Sequence, residues 1–175
     1  MSEMRILHVF GRMGRGGAET WLMNVLRRID RDRFRFDFLV HRTRAGEFDD
    51  EIRALGSDIH IIPGHKNLPV YTMALRALLA RRPYHAIHSH VSFFSGYILS
   101  AARALGVKSR IAHCHTSLPT TGDSLPRTLY KRASRQAIHA SATRGLGCSS
   151  RACQSLYGAN WRARDKYQVL LYGYD

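Results

Sequence analysis

Arg5-Ile6-Leu7-His8-Val9-Phe10, running directly into Gly11-Arg12-Met13-Gly14-Arg15-Gly16-Gly17-Ala18-Glu19, is the stretch that decides the fold. The first six residues are rich in strand formers. Beyond the glycines, Trp21, Leu22, Val25, Leu26 and Ile29 repeat at helical spacing. The stretch therefore reads as strand, glycine turn and helix. Glycines there allow positive φ and leave main-chain N–H groups uncovered. The helix N-terminus behind them offers unpaired N–H groups and partial positive charge, which suit a phosphate. The spacing is not Gly-x-Gly-x-x-Gly, since the third glycine would fall at Glu19, and no Lys-Ser/Thr follows Gly16 as in a Walker A loop. A tight turn without a ligand is the competing reading of the glycines alone.

Working outward, strands are expected at 34–41, 58–62, 84–90, 109–115, 145–149 and 167–172. Helices are expected at 48–55, 70–80, 93–105, 125–142 and 150–157, with Gly56, Gly106 and Gly158 closing three of them. Strands alternating with helices of this length predict an α/β fold, a doubly wound and mostly parallel Rossmann-like sheet covered on both faces. At 175 residues, one domain spanning 1–175 is expected. Ligands in such sheets bind at the carboxyl ends of the strands, which predicts a shared crevice for the glycine turn and for the strand ends at His90 and His115.

Composition narrows the partners. Lys and Arg number 27 against 13 Asp and Glu, a net charge of +14. Nucleic acid, anionic membrane and phosphorylated substrates are compatible with that charge. The arginines are dispersed over many helices and no aromatic-interleaved basic motif occurs, so nucleic acid is not expected. Three cysteines fit a reducing, cytoplasmic setting, and the chain opens on a strand without a signal peptide.

Two His-x-His pairs, His88-Ser89-His90 and His113-Cys114-His115, sit near predicted strand ends, and period-2 alternation sends both members of a pair to one face. They could gather metal ligands, yet no acidic residue follows either pair closely, so no metal is expected. His88 and His113 read as packed in the sheet and bonded to backbone. His115, last in its strand, reads as a group able to bond a substrate hydroxyl, with His90 in the equivalent place one strand earlier. Cys114 and Cys148 read as core residues. Arg127, Lys131, Arg135 and His139 recur every four residues, and this basic face suggests either a solvated surface or a peripheral contact with anionic membrane.

Gly16-Gly17-Ala18-Glu19, Asn24, Asp30-Arg31, Ile87-His-Ser-His90 with Phe94-Ser-Gly96, Arg110 to Thr116, Cys148-Ser-Ser150 and Tyr172-Gly-Tyr-Asp175 together resemble the N-terminal, acceptor-side domain of GT-B glycosyltransferases. The similarity is to the retaining family 4 enzymes of exopolysaccharide and capsular polysaccharide synthesis. The resemblance implies transfer of a sugar from a nucleotide-sugar to a glycan or lipid-linked acceptor, with no metal or other cofactor. It implies that Gly16 and Gly17 offer amides to donor or acceptor and that Glu19 orients the loop. It further implies that His115 contacts the transferred sugar beside Thr116, and that His90 lines the acceptor side. Tyr172 departs from the pattern, standing where the family usually has Asn. The nucleotide-sugar-binding C-terminal domain has no counterpart in these residues, so the chain alone is expected to be inactive. A stand-alone sugar- or nucleotide-binding module, or a partner subunit, is the alternative.

Overall fold

The computed structural model describes residues 3–63, 67–117 and 122–173. His65, Pro119, Tyr174 and Asp175 lie outside the described residues. Strands β1 (Met4–Phe10), β2 (Phe34–Val40), β3 (Ile59–Ile61), β4 (Ala86–Ser89), β5 (Ser109–Cys114), β6 (Arg144–Gly147) and β7 (Tyr167–Val169) lie in the order β3-β2-β1-β4-β5-β6-β7. The helices are α1 (Gly17–Arg28), α2 (Asp49–Ala54), α3 (Leu68–Arg81), α4 (Ser95–Ala104), α5 (Leu125–Ser141) and α6 (Ser150–Tyr157). This is the expected Rossmann-like alternation. It divides into two compact units, one reaching Ile87 and including Gly173, the other His88–Tyr172.

In the first unit, β1 pairs in parallel with β2, and β2 with β3. Leu7, His8, Val9 and Phe10 are all buried, as a parallel strand covered on both faces requires. Leu22, Met23 and Leu26 of α1 pack with Phe36, Phe38 and Val40 of β2 and with Ile52 of α2. Asp49, Asp50 and Glu51 fill the first turn of α2, where the helix dipole favours carboxylates.

A buried charge anchors this unit. Asp37 of β2 is fully buried, and it accepts from the Arg5 guanidinium at 3.1 Å, the Tyr84 hydroxyl at 2.9 Å and the Asp58 N–H at 3.1 Å. Its carboxylate is thus satisfied on both oxygens, as a buried charge must be. Burial and the neighbouring Asp37 charge push the Tyr84 hydroxyl well above its ordinary pKa.

In the second unit, β5, β6 and β7 pair in parallel. Tyr157 and Tyr167 stack at 4.2 Å over Gly145, where an added Cβ would lie 2.3 Å from the Tyr167 ring. Gly96 likewise admits α5 against α4, since a Cβ there would lie 2.5 Å from the Ser134 carbonyl oxygen. Two expectations change. A short 3-10 turn, Ser92–Phe94, precedes α4. The last strand stops at Val169 rather than at residue 172; beyond it the Leu170 N–H still donates to the Gly147 carbonyl at 2.9 Å.

Candidate functional site

The glycine turn is held from below and open above. Met13 is fully buried in the core, and its carbonyl accepts from Phe48 N–H at 3.1 Å. Gly46 closes on the same carbonyl so tightly that a Cβ would lie 2.3 Å from it. The Gly11 carbonyl accepts from the N–H groups of His41 and Arg42 at 3.1 and 3.0 Å. Above this base, Arg12, Arg15, Arg42, Glu19, Glu47 and the turn glycines line a cavity of about 520 Å³. Three arginines against two carboxylates make it a net cationic pocket at the start of α1.

Gly16 is the N-cap of α1 and Gly17 its first residue. The Glu19 carboxylate folds back over Gly16, so that a Cβ there would lie 2.3 Å from Glu19 Oε2. Burial pushes the Glu19 carboxyl upward, opposed by its own backbone N–H and by the Arg12 charge. Glu19 thereby occupies the position that the helix N-terminus makes favourable for an anion.

The second unit brings the histidines together. His88 and His90 have ring centroids 4.1 Å apart, as do His113 and His115, so each pair shares a face as alternation requires. His88 and His113, both buried, stack at 5.3 Å and 4° from parallel. His90 Nδ1 lies 2.7 Å from His115 Nε2, and His115 Nδ1 is bonded to the Tyr172 hydroxyl. Burial lowers His115 to about 4; burial and the adjoining His115 and His88 lower His113 to about 2. Both rings are therefore neutral at physiological pH. One ring nitrogen each from His90, His113 and His115 falls within 4.8 Å of the others, close enough for a metal ion.

Thiols fix the strand exit that carries His115. Cys148 Sγ donates to the His115 carbonyl at 3.2 Å, and Cys114 Sγ donates to the Thr116 carbonyl at 3.1 Å. Burial raises Cys114 to about 11, so it stays a protonated donor. Thr116 itself is exposed. Sequence spacing gave no hint of the Tyr172 contact, which joins residues 57 apart, nor of the Cys148 donor.

Lys131, Arg135 and His139 of the basic face of α5 bond within the protein, whereas Arg127 stays exposed. Arg135 donates to the Leu156 and Ser155 carbonyls, both at 3.1 Å, at the C-terminal end of α6. Lys131 and Arg127 both bond Asp123, and His139 bonds the Tyr167 hydroxyl. α5 exposes Leu125, Leu129 and Tyr130 together with Arg127 and Arg132. The expected solvated face holds for Arg127 but not for Lys131, Arg135 and His139, which are half-buried. Among the described residues, no helix is long and apolar enough to cross a membrane.

The chain is similar to known proteins. Residues 16–173 match the model of the glycosyl transferase 4-like domain. The chain is 35% identical to the protein named glycosyltransferase EpsF of Bacillus subtilis (strain 168), over 99% of the chain and 46% of EpsF. It is 32% identical to the capsular polysaccharide biosynthesis glycosyltransferase CapH of Staphylococcus aureus, over 65% of the chain and 31% of CapH. It therefore spans less than half the length of either relative. Among solved structures, Anabaena Alr3699/HepE in complex with UDP-glucose superimposes with a TM-score of 0.72 at 17% identity, over 99% of this chain and 45% of that one. MurG of Acinetobacter baumannii gives 0.60 at 12% identity, over 99% and 46%. At these identities the two structures speak for the fold, whereas the domain match and the EpsF identity speak for kinship. With the glycine turn opening α1 and the histidine pairs closing β4 and β5, the chain belongs to the glycosyl transferase 4-like domain family.

Proposed function

We propose that the chain is the acceptor-side half of a retaining glycosyltransferase, which moves a sugar from a nucleotide-sugar to a glycan or lipid-linked acceptor in surface polysaccharide synthesis. The observation that carries this reading is the neutral, half-buried His115 immediately after β5 in a chain of this family. A neutral imidazole can bond a sugar hydroxyl without adding charge to the reaction centre. The Gly16 and Gly17 amides, with Arg12, Arg15 and Arg42, suit a diphosphate, whose developing charge they would stabilise without a metal ion. Thr116 and His90 complete the proposed sugar and acceptor contacts.

In this reading the work is shared with a second, nucleotide-sugar-binding domain, and the chain by itself turns over no substrate. That the chain spans 46% of EpsF supports this division. The setting is cytoplasmic, with peripheral membrane contact through the exposed Leu125, Leu129 and Tyr130 of α5 beside Arg127 and Arg132. The test is sugar transfer by a two-domain protein containing this chain, with UDP- and GDP-sugars. His115→Ala should abolish transfer while leaving the unfolding midpoint near that of the native protein. Transfer at native rate by that variant overturns the reading. A stand-alone sugar- or nucleotide-binding module is the second reading, favoured by the cationic cavity at the start of α1; it predicts ligand binding by this chain with no transfer in any partner's presence.

A further inference from the structure

The segment after β7 is folded against hydrophobic preference. Leu171 is 74% exposed, while the neighbouring Tyr172 is half-buried. The half-buried Tyr172 ring turns to the histidines while Leu171 stays in water, which lets the hydroxyl bond a polar partner. The phenol ring lies 5.8 Å from the His115 ring and 6.2 Å from that of His113, edge-on to the latter. Its hydroxyl bonds His115 Nδ1, and His90 Nδ1 meets His115 Nε2 from the other side.

A neutral imidazole carries one N–H and one acceptor nitrogen, so these contacts are coupled. If Tyr172 donates to Nδ1, then His115 Nε2–H donates to His90. If His115 Nδ1–H donates to Tyr172, then His90 Nδ1–H must donate to His115 Nε2. Each pattern sets the tautomers of both rings together, a mixed pattern leaving two donors or two acceptors facing each other, and a phenol, a better donor than acceptor, favours the first. Resting on the reading of His115 as the sugar-contacting group, we propose that Tyr172 is a positioning residue that holds the His115 imidazole in one tautomer and one ring plane.

Long-range 1H–15N NMR of the chain tests this directly. Native His115 should show one protonated and one unprotonated nitrogen at fixed shifts. In Tyr172→Phe the two shifts should converge or exchange places, with the remaining backbone spectrum preserved. Unchanged His115 shifts in a folded Tyr172→Phe variant overturn the proposal. Should that variant fail to fold, a fluorotyrosine at position 172 makes the phenol a stronger donor and should move the Nδ1 shift; no movement overturns the proposal equally. In the two-domain protein, Tyr172→Phe should lower kcat about tenfold with the donor KM within about twofold. Released tautomers with unchanged kcat support the positioning role and overturn the sugar-contact reading of His115, so the two failures are distinguishable.

Discussion

The imidazole rings of His88 and His113 stack 5.3 Å apart and within 4° of parallel, with His90 and His115 tilted against them. Charging any ring in this group places a cation among buried neighbours, and Tyr172 offers it only a phenol. His113 and His115 titrate at about 2 and about 4 in the folded chain, against 6.5 when free. Between pH 6.5 and 4 the unfolded chain therefore binds more protons, and stability falls as pH falls. The slope is at most about 1.4 kcal/mol per pH unit for each histidine. Urea unfolding across this range should show full stability above pH 6.5. A flat profile would mean that the rings are solvated.

Asp37 predicts the largest single loss in the first unit. Asp37→Ala strands Arg5 and the Tyr84 hydroxyl and should cost about 3–5 kcal/mol. Asp37→Asn, which keeps acceptor capacity, should cost less. Equal losses by urea denaturation would show that volume rather than charge matters there.

Gly145→Ala sets a methyl into the stacked Tyr157 and Tyr167 rings. Overpacking of this kind costs about 1–3 kcal/mol and should lower the thermal midpoint by several degrees. Gly11→Ala, with nothing within 4 Å of its Cβ, should leave that midpoint nearly unchanged.

The two arginines of α5 should separate cleanly. Arg135→Ala removes donors from two carbonyls at the end of α6 and should cost about 1–2 kcal/mol. Arg132→Ala, on the exposed surface, should stay within about 0.5 kcal/mol. Matching losses would return the basic face to solvent.

Glu19 competes with any anion at the start of α1. Glu19→Gln should therefore tighten pyrophosphate binding, by about 0.3–1 kcal/mol, the value of one charge at a helix terminus. An NMR titration of the chain measures it. Weaker binding by the variant would show that Glu19 organises the turn for the ligand rather than occupying its place.

The pattern of residues carried the architecture because it is local. Period-2 and period-3.6 repeats placed the thirteen expected strands and helices, Gly56, Gly106 and Gly158 took the positive φ that ends helices, and His-x-His alternation put paired rings on one face. The 3-10 turn at Ser92–Phe94 escaped because nothing in its composition distinguishes it from the helix that follows. The end of β7 was missed because Leu170, Leu171 and Tyr172 have strand propensity, while pairing stops after Leu170.

The order of strands, helices and glycine turn, and the kinship those motifs carry, were determined by the sequence itself, since each depends on neighbours a few residues apart. Only the tertiary structure decided that Asp37 gathers Arg5 and Tyr84, that Arg135 faces inward, and that Tyr172 meets His115. Those partners lie about twenty to sixty residues apart in sequence, and chain closure over such distances leaves no periodic signature.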